Sequence, residues 1–285
     1  MSTVTPAPAI DRERLLSAAG EERARLGRMI QFAEPETWEQ PSGAAGWWNR
    51  DVMAHLAAQD TAVAQLFAGE PAAEIHEWLD SGAELDVDAF NTWAVARRSG
   101  MPVRDVLETW GRAADGVIAY AAALSDAEWH DRRDRWFAGE IAPRFLVQSR
   151  VVEWFLHGED MRATNGVREG WQLQWQHWPV HLTVDMAVRM LPWQLTRAGH
   201  DMSGLSVLVD VDGAGAGTWH WGLAADEVPD PRRRPDAVIL GRAPQLALVV
   251  GRRLPVLDAL DAGTVVLGGD LELAQTVLEA AQAYP

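Results

Sequence analysis

From Ala142 to Thr164 the chain reads APRFLVQSRVVEWFLHGEDMRAT, an apolar stretch of helical length that also carries Glu153, His157 and Asp160. Their spacing of i, i+4 and i+7 places all three on one helix face, one turn above another. Leu146 and Ser149 share that face, so it is expected to point inward. A buried carboxylate is costly unless something pairs with it. Any fold open to this chain must therefore bring a partner to Glu153.

A second helix candidate supplies one. Asn49 is expected to cap a helix with apolar positions Val52, Leu56, Val63 and Leu66, and His55 lies on the same side. Glu153 and His157, met by His55, offer two nitrogens and one carboxylate oxygen. That set suits zinc, and three protein ligands leave a fourth position for water or substrate, as in catalytic zinc sites. The same spacing also serves a plain Glu–His hydrogen bond, and an inward histidine is commonly a satisfied core residue. His177 and His181 form a rival i, i+4 pair, but Pro179 lies between them and Trp175 and Trp178 crowd them. His76, His130, His200 and His220 fall in loop or strand candidates and read as solvated or structural. Asp160 either orients His157 from behind or pairs with Arg150 or Arg162. Arg150, one turn before Glu153, either holds a substrate or cofactor anion or forms an ion pair between helices.

Helical periodicity dominates the first two thirds of the chain. Asp11 caps a helix with Leu15, Ala19, Leu26, Ile30 and Ala33 on its apolar side, and Pro35 stops it. A turn-rich PSGAAGWWN follows, and after the Asn49 helix comes a looser acidic segment, 69–88. A short helix is expected at Phe90–Arg98, and Pro102 opens a long amphipathic one from Val103 to Leu124. The 142–164 helix ends at Asn165-Gly166. A last helix, near Trp178–Ala198, contains Pro192 and is expected to kink there. Beyond residue 199 the texture changes. LSVLVDV, TWHWGL, AVILG and TVVLGG read as strands, and 244–250, 254–260 and 271–283 as short helices. The chain is thus expected to be a two-domain α+β protein, with a helical domain at 1–198 and a small α/β domain at 199–285.

Composition removes several chemistries. None of the 285 residues is cysteine, which excludes disulfides, thiolate zinc sites, iron–sulfur clusters and a cysteine nucleophile. Lysine is also missing, so all 25 basic residues are arginine, which excludes Schiff-base chemistry and a phosphate-loop lysine. With 41 acidic residues the net charge is −16, a poor match for nucleic acid. No apolar run is long enough to span a membrane, and the first residues lack a secretory pattern, so a cytoplasmic protein is expected.

Three segments resemble a known family. GWWNRDVMAHLA (46–57) is similar to the W-x-x-x-D-v-x-x-H-l segment of the DinB-like superfamily, and DAFNTWAVARR (88–98) carries an asparagine, Asn91, at a matching place. RVVEWFLHGEDMRATNG (150–166) resembles the R-x-x-E-x-x-x-H-g-x-D-x-x-x-A-x-G signature of the mycothiol-dependent maleylpyruvate isomerase family. LGRAPQLALVVGRR and LGGDLELA look like that family's small C-terminal domain. The resemblance implies an N-terminal DinB-like four-helix bundle followed by an α/β domain. It also implies a divalent metal, usually zinc, held by His55, Glu153 and His157, with mycothiol as cosubstrate. A thiol at the open position of such an ion is held as its thiolate, which is the competent nucleophile. Such a metal-bound thiolate either adds to a double bond and leaves after rotation, as in an isomerase, or displaces a leaving group, as in an S-transferase.

One departure from the family stands out. Its maleylpyruvate isomerases carry an arginine beside the asparagine to grip the substrate's carboxylate, and here that residue is Phe90. Arg97 and Arg98 lie two turns on. Trp47, Trp48, Trp93 and Trp154 gather near the expected bundle mouth, either as core or as lining for a larger, more apolar electrophile. Arg150, Asn91, Asp160 and Trp48 are the candidates for contact with substrate or cosubstrate. Two other readings fit the same residues: a metal-assisted hydrolase, which would need no thiol, and a non-catalytic protein that binds a small molecule in the bundle.

Overall fold

The computed structural model describes residues 10–81, 87–137, 139–165, 176–225 and 227–283. It is helix-rich with two small sheets and divides into two compact units, Asp11–Leu173 and one that begins at Gln174. Among the described residues no helix is long and apolar enough to cross a membrane.

The first unit is built on four long helices: α1 (Arg12–Gln31), α2 (Asn49–Phe67), α5 (Val103–Ala123) and α7 (Pro143–Asn165). The Asp11 carboxylate caps α1 by accepting from the Arg14 N–H at 2.7 Å, which satisfies one of the free donors of the first turn. Asn49 is of a residue type that favours the cap position, yet it is not the cap of α2. Trp48 holds that position, its N–H donating to Asp51 Oδ2 at 3.0 Å. Asn49 instead begins the helix, buried, with its amide donating to the Thr37 carbonyl at 2.8 Å. Helix α2 packs along α5, α1 lies against α7 and α5, and α7 also meets α2. Leu15, Leu26, Val52, Leu56, Val63, Val117, Leu146 and Leu156 are fully buried among them.

The segments between these helices hold more structure than periodicity showed. The acidic stretch 69–88 contains α3 (Ala73–Asp80), and α4 spans Val87–Arg98. A short α6 (Asp126–Asp131) and a hairpin of β1 (Asp134–Trp136) and β2 (Gly139–Ile141) precede α7. His76 and His130 are exposed as expected, but on α3 and α6 rather than in loops. Gly166 and Trp175 lie outside the described residues.

The second unit begins with α8 (His177–Arg197), which runs unbroken through Pro192. The sequence boundary at 198/199 counts this helix with the first domain. In the structure it packs on the C-terminal elements: β4, α9 and α11. Strands β3 (Ser206–Asp212), β4 (Gly217–Gly222), β5 (Ala237–Arg242) and β6 (Val265–Gly269) form a sheet in the order β4-β3-β5-β6, with β3 and β5 parallel and the other pairs antiparallel. Val207, Val209 and Val211 alternate inward along β3. Helices α9 (Ala243–Val250), α10 (Val256–Asp261) and α11 (Leu271–Ala280) complete the unit. The β3–β4 turn needs glycine at 215. Its φ is +91°, and a Cβ there would sit 2.4 Å from Val180 Cγ1 on α8.

An ion network locks α1 to α7. Glu22, fully buried, accepts from the Arg25 guanidinium at 2.6 Å, and Arg25 lies 3.8 Å from Glu159 on α7. Burial raises the Glu22 carboxyl above its ordinary value, and the charge of Arg25 offsets only part of that. Gly158 leaves room for the guanidinium, since a Cβ there would lie 2.5 Å from Arg25 Nη2. Removing one partner of a buried pair strands the other's charge. Arg25→Met is therefore expected to destabilise the chain by about 3–5 kcal/mol in urea unfolding, and a loss under about 1 kcal/mol would show that the network contributes little.

Candidate metal centre

The inward face of α7 meets α2 where the sequence places its ionisable residues. His55 on α2 and Glu153 and His157 on α7 are all buried, and one ligand atom from each lies within 4.8 Å of the other two. His55 Nε2 is 3.1 Å from Glu153 Oε2, and His157 Nε2 is 3.2 Å from the same oxygen. A tetrahedral ion with bonds of about 2.0–2.1 Å holds its ligand atoms about 3.3 Å apart. Both histidine–carboxylate separations are thus already close to those around a zinc-sized ion. Among the described residues this is the single group of three or more histidines and carboxylates so disposed.

The protons in the cluster follow from its surroundings. Burial, outweighing the Glu153 carboxylate, holds His55 below the ordinary imidazole value. Burial also opposes charge on His157, but the carboxylates of Asp160 and Glu153 prevail and raise it. Burial by itself would raise Glu153. The hydrogen bonds of His157 and His55 and the charge of Arg150 overcome it and hold the carboxyl well below its usual range. His157 Nδ1 donates to Asp160 Oδ2 at 2.8 Å, which fixes the imidazole and directs Nε2 toward Glu153. His55 Nδ1 is buried with no hydrogen-bond partner among the described residues.

A second layer holds this cluster in place. Arg150 lies 3.7 Å from Glu153 Oε1 and 3.4 Å from Asp60 Oδ1, and all three residues are buried. The Trp154 indole donates to Asp60 Oδ2 at 2.7 Å. Burial pushes the Asp60 carboxyl up to about 6, against the pull of Arg150 and Trp154. On the other side the loop before α2 docks on α7. The Gly43 N–H donates to the Asp160 carbonyl at 2.9 Å, and a Cβ on Gly43 would come 3.0 Å from the Asp160 Cα. Ser42 and Trp47 close that loop by a backbone hydrogen bond of 2.9 Å. The loop sets the Trp47 indole against both imidazoles, with ring centroids 5.1 Å from His55 and 6.2 Å from His157.

The remaining candidates separate. Arg150 is engaged with two carboxylates rather than open to an anion. Asp160 sits behind His157, and Arg162 pairs with Glu159 instead. Asn91 accepts from the Gln59 amide at 2.7 Å, and Gln59 lies one turn from His55 on α2. Trp48 is 48% exposed, at the start of α2 rather than against the imidazoles. Phe90 is fully buried among the rings of Trp78, Trp93 and Phe137, while Arg97 and Arg98 pair with Glu77 and Glu74. The rival pair, His177 and His181, stacks on α8 and binds the β3–β4 turn, at the Gly215 N–H and the Ala216 carbonyl, each 3.2 Å away. His200 is exposed in a loop, and His220 is half-buried on β4.

Sequence reasoning missed Asp60 and Gly43. An aspartate within the predominantly apolar run LAAQDTAVAQLF was a signal for the first. Nothing in the local pattern marks Gly43, whose neighbour is 117 residues away along the chain, at Asp160.

Residues 19–162 match the family model described as the mycothiol maleylpyruvate isomerase N-terminal domain. No curated protein matches the chain significantly. Two crystal structures, of a mycothiol-dependent maleylpyruvate isomerase and of an alanine mutant of it, each align with a TM-score of 0.59 and 14% identity. Each alignment covers 91% of this chain and 93% of the other. At that identity the likeness is one of fold.

Asp60 gives the site a pH signature. Its folded-state value of about 6 lies above the ordinary 3.8. The stability it contributes is therefore full below about pH 4 and is lost as pH rises through about 6. Asparagine at this position does not titrate. In urea unfolding of the chelator-treated protein, the wild type is expected to lose ground to Asp60→Asn between about pH 4 and 6, with parallel curves above. A difference that does not vary with pH would contradict this.

Proposed function

Because the chain belongs to the mycothiol maleylpyruvate isomerase N-terminal domain family, we propose that it is a divalent-metal enzyme, with zinc the ion that best suits its donors. Its cosubstrate is a low-molecular-weight thiol of the mycothiol type, and its substrate is an electrophilic small molecule. The four long helices are read as a DinB-type bundle that carries the centre. The observation that carries the proposal is the convergence of His55, Glu153 and His157 inside the family-matched unit. The reaction is isomerisation or S-transfer, and the cytoplasm, where small thiols stay reduced, is the compartment that suits it.

His55, Glu153 and His157 are the residues that would hold the ion. A bound divalent ion supplies the charge that keeps a thiol ionised at neutral pH. His157 enters this state by giving up the proton at Nε2 while its Nδ1–H stays on Asp160. Arg150 keeps Glu153 Oε1 occupied, so Oε2 is the oxygen turned toward the imidazoles. Asp60 holds Arg150 in turn, and Trp47 shields the imidazole pair from water on the loop side. In the isomerase version, sulfur bonds to one carbon of a conjugated double bond and the π electrons move onto the activating carbonyl. The former double bond rotates, and expulsion of the same thiolate restores it, so no atom is gained or lost.

Elemental analysis combined with thiol-dependent assays tests this reading. Chelation is expected to abolish turnover, and zinc to restore it. His157→Ala should lose both metal and turnover. Asp160→Ala should weaken metal binding by about 10–100-fold. Because His157 is held above its ordinary value in the metal-free protein, the ion competes with a proton, and apparent affinity should fall as pH is lowered. A His157→Ala protein that keeps its metal, or turnover that proceeds equally without thiol, would refute the assignment.

A further inference from the structure

Resting on the thiol-using reading just given, we propose that Gln59 recognises the thiol cosubstrate, its Oε1 accepting an N–H carried on the second carbon from sulfur. The ligand class is an N-acylated aminothiol. The side chain is buried, at 3% exposure. Its Nε2 donates to Asn91 Oδ1 on α4 at 2.7 Å, which restrains the amide. Its Oε1 is buried and has no hydrogen-bond partner among the described residues. An amide oxygen buried without a donor is costly, and a ligand that supplies one recovers that cost on binding.

The place of this oxygen ties it to the candidate metal centre. Gln59 stands i+4 from His55, so both side chains leave the same face of α2. His55 reaches Glu153 on α7, and Gln59 reaches Asn91 on α4. The acceptor thus lies on the α4 side of the face that carries the donor cluster. One turn of helix rises about 5.4 Å, and a chain of sulfur, carbon, carbon and nitrogen spans a distance of that order. Burial selects the form of the nitrogen. An ammonium would have to shed its water, whereas an acylated N–H is neutral and needs one acceptor only. An ester oxygen in its place would set lone pairs against Oε1 and leave both acceptors unpaired.

The test uses an isosteric pair of thiols, N-acetylcysteamine and 2-mercaptoethyl acetate, in which an ester oxygen replaces the N–H. Each is titrated into the cobalt-loaded chain, where the sulfur-to-cobalt charge-transfer absorption reports binding without turnover. Both dissociation constants are corrected for thiol ionisation. The wild type is expected to bind the amide about tenfold more tightly than the ester, the difference made by one hydrogen bond to an otherwise unpaired buried group. Gln59→Leu should weaken the amide about tenfold and leave the ester unchanged or tighter, so that the preference disappears. The wild-type comparison decides the matter even where Gln59→Leu fails to fold. Equal binding of the two thiols by the wild type, or a preference that survives Gln59→Leu, would overturn the proposal while leaving thiol use intact. Absence of the charge-transfer band with either thiol would sink the thiol reading and this proposal together.

Discussion

Glu153 is a largely buried carboxylate, and much of the first unit is arranged around it. It accepts contacts from His55 and His157 through one oxygen and faces Arg150 with the other. Each partner then needs its own compensation. His157 leans on Asp160, and Arg150 on Asp60, which also takes the Trp154 indole. A buried polar network of this kind is costly when incomplete and rigid when complete. Its members come from α2 and α7, so it also fixes the register between those helices.

Helix α7 plays this part because nearly all of its surface is covered. One side carries Glu153, His157 and Asp160 toward α2 and the Gly43 loop. Another carries Glu159 toward Glu22 and Arg25 of α1, with Gly158 leaving room for the guanidinium. The stability network and the chemical cluster thus share a single rigid element, and strain at one has a short path to the other. Trp47 completes the arrangement from a loop that is pinned to α7 through the Asp160 backbone. Asp160 therefore holds an imidazole with its side chain and the covering loop with its main chain.

Much of this could be read from the sequence, for identifiable reasons. The spacing of Glu153, His157 and Asp160 follows from helix geometry, and a buried carboxylate requires a partner, which His55 could supply. Long amphipathic elements such as α5 and alternating ones such as β3 announce themselves by period. Short elements do not: α3, α6 and the β1–β2 hairpin hold too few residues for a pattern to emerge. The allegiance of α8 was hidden as well. Its apolar face looks the same whichever unit it packs on, and only contacts such as Asp185 to Trp219 and Gln194 to Gln282 settle it. Asp60, Gly43 and the position of the Trp47 ring depend on chain segments brought together from far apart, which local pattern does not encode.

X-ray absorption at the zinc edge, on protein loaded with one equivalent of zinc, tests the central claim most directly. Two imidazole nitrogens and carboxylate or water oxygen at about 2.0–2.2 Å are expected without thiol, with a sulfur scatterer at about 2.3 Å once mycothiol is added. A spectrum without histidine scattering, or one that mycothiol leaves unchanged, would contradict the account.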